Sequence, residues 1–238
     1  MTKLSVNINK IATIRNARGG NVPNLIQAAL FIEACGANGI PIHPRPDQRH
    51  IRYSDAYELK RVIKTELNIE GNPTAEFIKL CKEVAPAQIT LVPDAPDVLT
   101  SNAGWNTIEN KKYLKEVIAE LKEIGSRVSI FIDPNEEMIL AAGETGCDRI
   151  ELYTEAYAAV YPTDKEHAIE PYRKAADVAI QLGLGMNAGH DLSLENLHYF
   201  VQQIPEIQEV SIGHALISDA LYLGLENTVK AYLNELNR

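Results

Sequence analysis

The densest chemistry in this chain lies between Gly39 and Ile51, which reads Gly-Ile-Pro-Ile-His-Pro-Arg-Pro-Asp-Gln-Arg-His-Ile. His43, Arg45, Arg49 and His50 follow one another closely, stiffened by Pro44 and Pro46. Guanidinium forks hold phosphate oxygens in pairs, and an imidazole changes protonation near neutral pH. Such a group suits a phosphorylated small molecule that must exchange protons. The plain alternative is a solvated basic loop. More residues of the same kind stand elsewhere. Glu70 ends Leu67-Asn68-Ile69, Asp133 ends Ser129-Ile130-Phe131-Ile132, and Glu151 follows Arg149-Ile150. His190 ends Asn187-Ala188-Gly189, and His214 ends Ser211-Ile212-Gly213. A carboxylate carried into a partly desolvated mouth gains proton affinity and becomes a general acid or base, whereas a structural ion pair would need only a nearby arginine.

These residues gain meaning from the elements that must carry them. Short apolar runs that suit strands recur at Leu4 to Ile8, Gly39 to Ile42, Leu67 to Glu70, Gln88 to Val92, Arg127 to Asp133, Arg149 to Tyr153, Gly183 to Asn187 and Glu209 to Ile212. Helical patterns stand between them, at about residues 23–35, 54–66, 74–84, 108–124, 135–145, 168–182, 193–203 and 218–236. Ser54 is the expected N-cap of the second helix. Asn9 to Val22 is expected to be a polar segment supplying Arg15 and Arg18, and Thr154 to Lys165 a loop or short extra helix. Eight strands alternating with eight helices over 238 residues predict one closed (β/α)₈ barrel, a TIM barrel of class α/β with additional short helices, as a single domain over 1–238. A doubly wound open sheet is the competing architecture, but no Gly-rich dinucleotide fingerprint follows the first strand.

A barrel gathers the C-terminal ends of its strands at one mouth. His43, His50, His190 and His214 all fall there, while His167 and His198 belong to helices and are expected on the surface. The loops after strands seven and eight are the usual phosphate seat of such barrels, where backbone N–H groups and a helix N-terminus meet the anion. The loop 94–106, with Thr100, is long enough for a lid.

Other chemistries are disfavoured. No lysine ends strands two to eight for a Schiff base, and the G-x-S-x-G elbow is absent. No His-x-His or His-Glu-x-x-His spacing supports a metal site, so no metal is expected, although ligands can also come from separate strands. A net charge of −9 argues against nucleic-acid partners, and no apolar run is long enough to span a membrane. Three cysteines, Cys35, Cys81 and Cys147, fit buried thiols in a reducing cytoplasm better than a disulfide framework.

The motifs Val6 to Gly19, His43 to Ile51, Leu67-Asn68-Ile69-Glu70, Leu91-Val92-Pro93, Ser129 to Asp133, Asn187-Ala188-Gly189-His190 and Ile212-Gly213-His214-Ala215, in this order, resemble the pyridoxine 5′-phosphate synthase family. The resemblance implies condensation of 3-amino-2-oxopropyl phosphate with 1-deoxy-D-xylulose 5-phosphate to pyridoxine 5′-phosphate, phosphate and water, in vitamin B6 synthesis. It implies Glu70 and His43 as proton acceptors, His190 as proton donor and Glu151 as a stabiliser of the transition state. It places the aminoketone phosphate on Asn7, Arg18, Gly213, His214 and the backbone at Asp191. It places the deoxyxylulose phosphate on Asn9, Lys10, Arg45, His50 and Thr100. It also implies a homo-octamer without cofactor. The chain departs from the family pattern at Asn9-Lys10, at Asp191 and at Asn102-Ala103. Another phosphosugar isomerase or lyase, or a non-catalytic phosphometabolite-binding barrel, are the alternatives.

Overall fold

The computed structural model describes residues 1–94 and 103–238. The chain begins with Lys3–Val6 (β1), Asn9–Asn16 (α1), Leu25–Ala34 (α2), Gly39–Ile42 (β2) and Tyr53–Val62 (α3). It continues through Glu66–Gly71 (β3), Ala75–Val84 (α4), Gln88–Leu91 (β4), Lys111–Lys122 (α5), Arg127–Ile132 (β5) and Glu136–Gly143 (α6). Arg149–Tyr153 (β6), Glu155–Val160 (α7), Lys165–Gln181 (α8), Gly185–His190 (β7) and Leu197–Gln203 (α9) follow. Glu209–Ile212 (β8), His214–Leu223 (α10) and Leu225–Asn237 (α11) complete it. The strands pair in parallel in sequence order, and β8 closes onto β1. The expected (β/α)₈ barrel is the observed fold.

Period-two alternation along the strands sorts residues between two environments. Leu4 and Val6, Ile40 and Ile42, Leu67 and Ile69, Ile89 and Leu91, Ile130 and Ile132, and Val210 and Ile212 are buried outward, beneath the helices. Most of the opposite positions, Pro41 and Phe131 aside, are polar and meet inside the barrel: Ser5 with Glu209, Asn68 with Thr90, Thr90 with Glu151, and Ser211 with Glu70. Branched aliphatic side chains usually fill such an interior. Here the hydrophobic core lies between strands and helices, and the barrel axis is lined mostly by hydrogen-bonding groups.

Several local expectations are corrected. Asn9 to Val22 is not simply a polar loop, because Asn9–Asn16 is helical and buries Ile11, Ala12 and Arg15. Ser54 is not the cap of α3. That helix begins at Tyr53, and the carboxylate of Asp55 accepts the Arg52 N–H at 2.7 Å. β7 runs on to His190 instead of ending at Asn187. The expected closing helix is two helices, divided at Gly224, whose φ of +79° favours glycine. The ambiguous segment after β6 contains the short helix α7. Among the described residues no helix is long and apolar enough to cross a membrane.

Candidate active site

Strand direction brings the chemistry to one end. Glu70 lies next to last in β3, with its side chain turned inward. Asn7 Nδ2 donates to its Oε2 at 3.2 Å, and Asn68 Nδ2 and Ser211 Oγ approach Oε1 at 3.4 and 3.5 Å. Glu151 in β6 accepts from Thr90 Oγ1 at 3.4 Å. Both are buried, at 8% and 4% exposure. Burial, the nearby Glu151 and then Glu209 push the Glu70 carboxyl well above the usual range. Burial and then Glu209 push Glu151 up to about 8. Burial and mutual repulsion thus raise the proton affinity of both carboxyls of one pocket, and Glu151 keeps its proton at neutral pH. Gly189 makes this arrangement possible, since a Cβ there would stand 2.7 Å from Glu151 Oε1.

The stretch after β2 brings both imidazoles together. His43 and His50 sit with ring centroids 6.2 Å apart. Burial first, and then Arg45 and the neighbouring His50 and Arg49, hold His43 down at about 3. Burial, Arg45, Lys10 and Arg49 hold His50 down at about 4. Both rings are neutral at pH 7, each with an unprotonated nitrogen, and the ligand-free pocket disfavours their protonation. Asn9 Oδ1 accepts the His43 backbone N–H at 3.0 Å, and Asn7 Oδ1 accepts that of Asn9 at 3.0 Å. The two asparagines therefore lace β1 to the β2 loop and to Glu70.

The arginines are more heavily engaged than the sequence suggests. Arg15 is not a phosphate ligand in waiting. It is buried in a bidentate pair with Asp55, at 2.7 and 2.9 Å, and also donates to the His50 carbonyl at 3.0 Å. Arg45 Nη1 donates to Asp94 Oδ2 at 2.9 Å with both side chains buried, so a phosphate reaching Arg45 must share it with a carboxylate. Arg49 Nε donates to Asp47 at 2.7 Å. Lys10 and Arg18 are exposed, at the start of α1 and just beyond its end. A cleft beside the mouth is lined by His43, Arg45, Tyr53, Asn72, Phe77 and Asp94.

Across the mouth, His190 ends β7 with φ +100°, a conformation rarely adopted by residues with a side chain. Strain of this kind costs about 1–3 kcal/mol and gathers at functional sites. Asp191 Oδ2 lies 2.5 Å from His190 Nδ1, and Tyr153 packs edge-on against the ring at 5.0 Å. The Asp191 carboxylate thus faces the imidazole, while its backbone N–H is directed towards Thr154 Oγ1 at 3.4 Å. Gly213 precedes α10, and His214 opens that helix in an exposed position. A Cβ on Gly213 would lie 3.1 Å from the Cβ of Asn7, so glycine lets β8 pass close to the end of β1. This supplies a helix N-terminus at the mouth, the arrangement that suits an anion.

His43, His50, Glu70, Glu151, His190, Gly213 and His214 therefore belong to one end of the barrel. Thr100 lies outside the described residues, as does most of the expected lid. Of the two histidines expected on the surface, His167 is exposed, but His198 is half-buried with Nδ1 3.1 Å from the Glu235 carbonyl. Asn68, Thr90, Asp94, Tyr153 and Ser211 join the site without having stood out in the sequence. The signal for most of them is a polar residue at every second strand position.

The fold and this mouth define a (β/α)₈-barrel enzyme whose buried carboxyls and neutral imidazoles face a helix N-terminus. The description of the matching family is "Pyridoxal phosphate biosynthesis protein PdxJ", and the match covers residues 4–238. Pyridoxine 5′-phosphate synthase of Christiangramia forsetii is 61% identical over 236 residues, covering 99% of this chain and 100% of that protein. The protein of the same name from Flavobacterium johnsoniae is 62% identical with the same coverage. The chain belongs to this pyridoxine 5′-phosphate synthase family. Among solved structures, 3-keto-L-gulonate-6-phosphate decarboxylase of Vibrio cholerae superimposes with a TM-score of 0.69 at 11% identity, covering 100% of this chain and 98% of that one. That likeness is one of fold.

Proposed function

We propose that this chain, as one (β/α)₈ domain over 1–238, condenses 3-amino-2-oxopropyl phosphate with 1-deoxy-D-xylulose 5-phosphate to give pyridoxine 5′-phosphate, phosphate and water. The observation that carries the reading is the meeting of two buried carboxyls of raised proton affinity, Glu70 and Glu151, with neutral His43 at the mouth of a barrel. Closing a pyridine ring from an aminoketone and a ketose requires imine formation, dehydrations and loss of phosphate, each a proton transfer. Several acid–base groups around one pocket serve such a sequence better than one nucleophile.

In this reading His43 accepts a proton as a neutral imidazole, its proton affinity raised when the substrate phosphates offset the charges of Arg45 and Arg49. Glu70 exchanges protons with the substrate, since the ammonium of the aminoketone favours its ionised form and a carboxylate of high proton affinity is the stronger base. Glu151, which keeps its proton, stabilises the transition state by donating a hydrogen bond to oxygen on which negative charge develops. His190, oriented by Asp191, returns a proton to the departing oxygen. The α10 N-terminus at Gly213 and His214, with Asn7, Arg18 and the backbone at Asp191, holds the aminoketone phosphate. Asn9, Lys10, Arg45, His50 and Thr100 hold the second phosphate. No metal or organic cofactor takes part.

The assembly proposed is a homo-octamer in the cytoplasm. Leu221, Tyr222 and Leu223 leave consecutive apolar side chains exposed at the end of α10, a surface suited to another copy of the chain. The free thiols Cys35, Cys81 and Cys147 suit a reducing compartment.

The test is a two-substrate assay following pyridoxine 5′-phosphate and released phosphate. Product is expected only with both substrates present. Turnover of the ketose phosphate without the amine would move the reading to an isomerase or lyase, and binding of both without turnover to a binding barrel.

A further inference from the structure

One buried carboxylate takes no part in the proposed proton transfers. Glu209 in β8 is 4% exposed and points into the barrel. Ser5 Oγ donates to its Oε1 at 2.5 Å, and Arg149 Nη1 donates to its Oε2 at 3.1 Å. The same Arg149 nitrogen donates to Asn187 Oδ1 at 3.0 Å. Asn187 is the register partner of both Glu151 and Glu209, and Ser211, two residues above Glu209 on the same strand, approaches Glu70. Glu209 therefore lies deeper in the barrel than the two reacting carboxyls, with Asn187 and Ser211 linking the levels. Among the described residues neither Glu70 nor Glu151 forms an ion pair, whereas Glu209 is paired with Arg149.

We propose that Glu209, held by Ser5 and Arg149, is a positioning residue that governs how tightly Glu70 and Glu151 hold their proton. The inference rests on the role given to those two carboxyls in the proposed reaction. Burial of all three carboxyls away from water lets one charge act strongly on another there. A carboxylate fixed below the pair disfavours a second negative charge above it, and Arg149 offsets part of that effect. The other charged groups facing the cluster are Asp94 with Arg45 and the neutral His43 at the mouth, and Glu66 with Arg127 and Lys3 at the opposite end. Those two acidic residues are already paired with cations. Gly185 leaves room for the arginine, because a Cβ there would stand 2.8 Å from Arg149 Cγ.

A merely structural bridge and an electrostatic control predict different signs. Glu209→Gln preserves shape and the bond to Ser5 but removes a negative charge. Arg149→Met removes the opposing positive one. The readouts are the carboxylic-acid carbonyl band in a difference-infrared pH titration of the ligand-free protein, and the pH dependence of kcat/KM in the two-substrate assay. Glu209→Gln should lower the deprotonation midpoint by about one pH unit, the scale of a single close charge. Arg149→Met should raise it, and the double variant should return towards the wild type. Midpoints that stay fixed, or that move in the same direction in both single variants, would overturn the proposal. If opposite infrared shifts occur in a protein that forms no pyridoxine 5′-phosphate, the functional reading fails and the electrostatic role of Glu209 stands. Product formation with unmoved midpoints would leave the functional reading standing and remove that role from Glu209.

Discussion

At the scale of single residues, the site depends as much on what is missing as on what is present. Gly189 has no side chain where a Cβ would lie 2.7 Å from Glu151 Oε1 and 2.9 Å from the Ser211 carbonyl oxygen. A carbonyl held in the β8 ladder cannot retreat, so in Gly189→Ala the carboxyl must move. Displacement of a reacting group by about 1 Å costs roughly 10²-fold, and kcat in the two-substrate assay should fall on that scale while circular dichroism stays unchanged. Undiminished kcat would remove Glu151 from the reacting groups. Glu70→Gln keeps the volume and the hydrogen bond from Asn7 but loses the exchangeable proton, and a loss of about 10²–10⁴ in kcat is expected. Glu70 and His43 are legible in the sequence because each ends an apolar run, and Glu151 and His190 because each is a titratable residue set in a short strand pattern. Arg15 is where the sequence misleads. A guanidinium beside Lys10 and Arg18 looks like a phosphate ligand until Asp55, forty residues on, is seen to hold both of its ends. No local pattern announces a pairing across that distance.

The scale of elements explains why the engagement of Arg15 matters. α1 occupies what the sequence presents as a polar loop, and through Arg15 and Asn16 it grips the β2–α3 stretch. Arg15 Nη2 and Asn16 Nδ2 both donate to the His50 carbonyl, at 3.0 and 2.8 Å. Asp55 in turn accepts the Arg52 N–H at the start of α3. One buried ion pair therefore fixes helix α1, the start of α3 and the carbonyl of His50. Removing one partner of such a pair strands the other, at a cost of about 3–5 kcal/mol. Arg15→Met should lower stability in urea by that amount. It should also raise KM for the deoxyxylulose phosphate more than for the aminoketone, because the disturbed loop carries His50 and Arg45. Equal effects on both KM values would place the loop outside substrate selection. The strands are easier to find than this helix. Apolar outward positions such as Ile40 and Ile42 mark a buried sheet by themselves, whereas α1 has few apolar residues and gains its stability from tertiary packing. The break at Gly224 is hidden for a related reason: helical periodicity continues on either side of a single glycine.

For the whole molecule, the two kinds of perturbed group impose opposite pH dependences on stability. Burial with neighbouring guanidiniums holds His43 and His50 at about 3 and about 4, against about 6.5 in an unfolded chain. As pH falls below about 6.5 the unfolded chain takes up protons that the folded one refuses, so stability declines until those folded values are passed. Burial and neighbouring carboxylates hold Glu151 up at about 8 and move Glu70 in the same direction. Above about 4.5 the folded chain keeps protons that the unfolded one releases, and stability declines as pH rises towards 8. Each group contributes a slope of up to about 1.4 kcal/mol per pH unit within its window. The windows overlap between about 4.5 and 6.5, where the slopes oppose one another, so the ligand-free protein should be most stable there and weaken on both sides. Urea unfolding from pH 4 to pH 9, at one fixed protein concentration because assembly adds its own stabilisation, reads this directly. Glu151→Gln should flatten the alkaline decline and His43→Asn the acid one. Stability that climbs steadily through pH 8 would mean that the barrel interior ionises freely, and the acid–base assignment at its mouth would lose its physical basis.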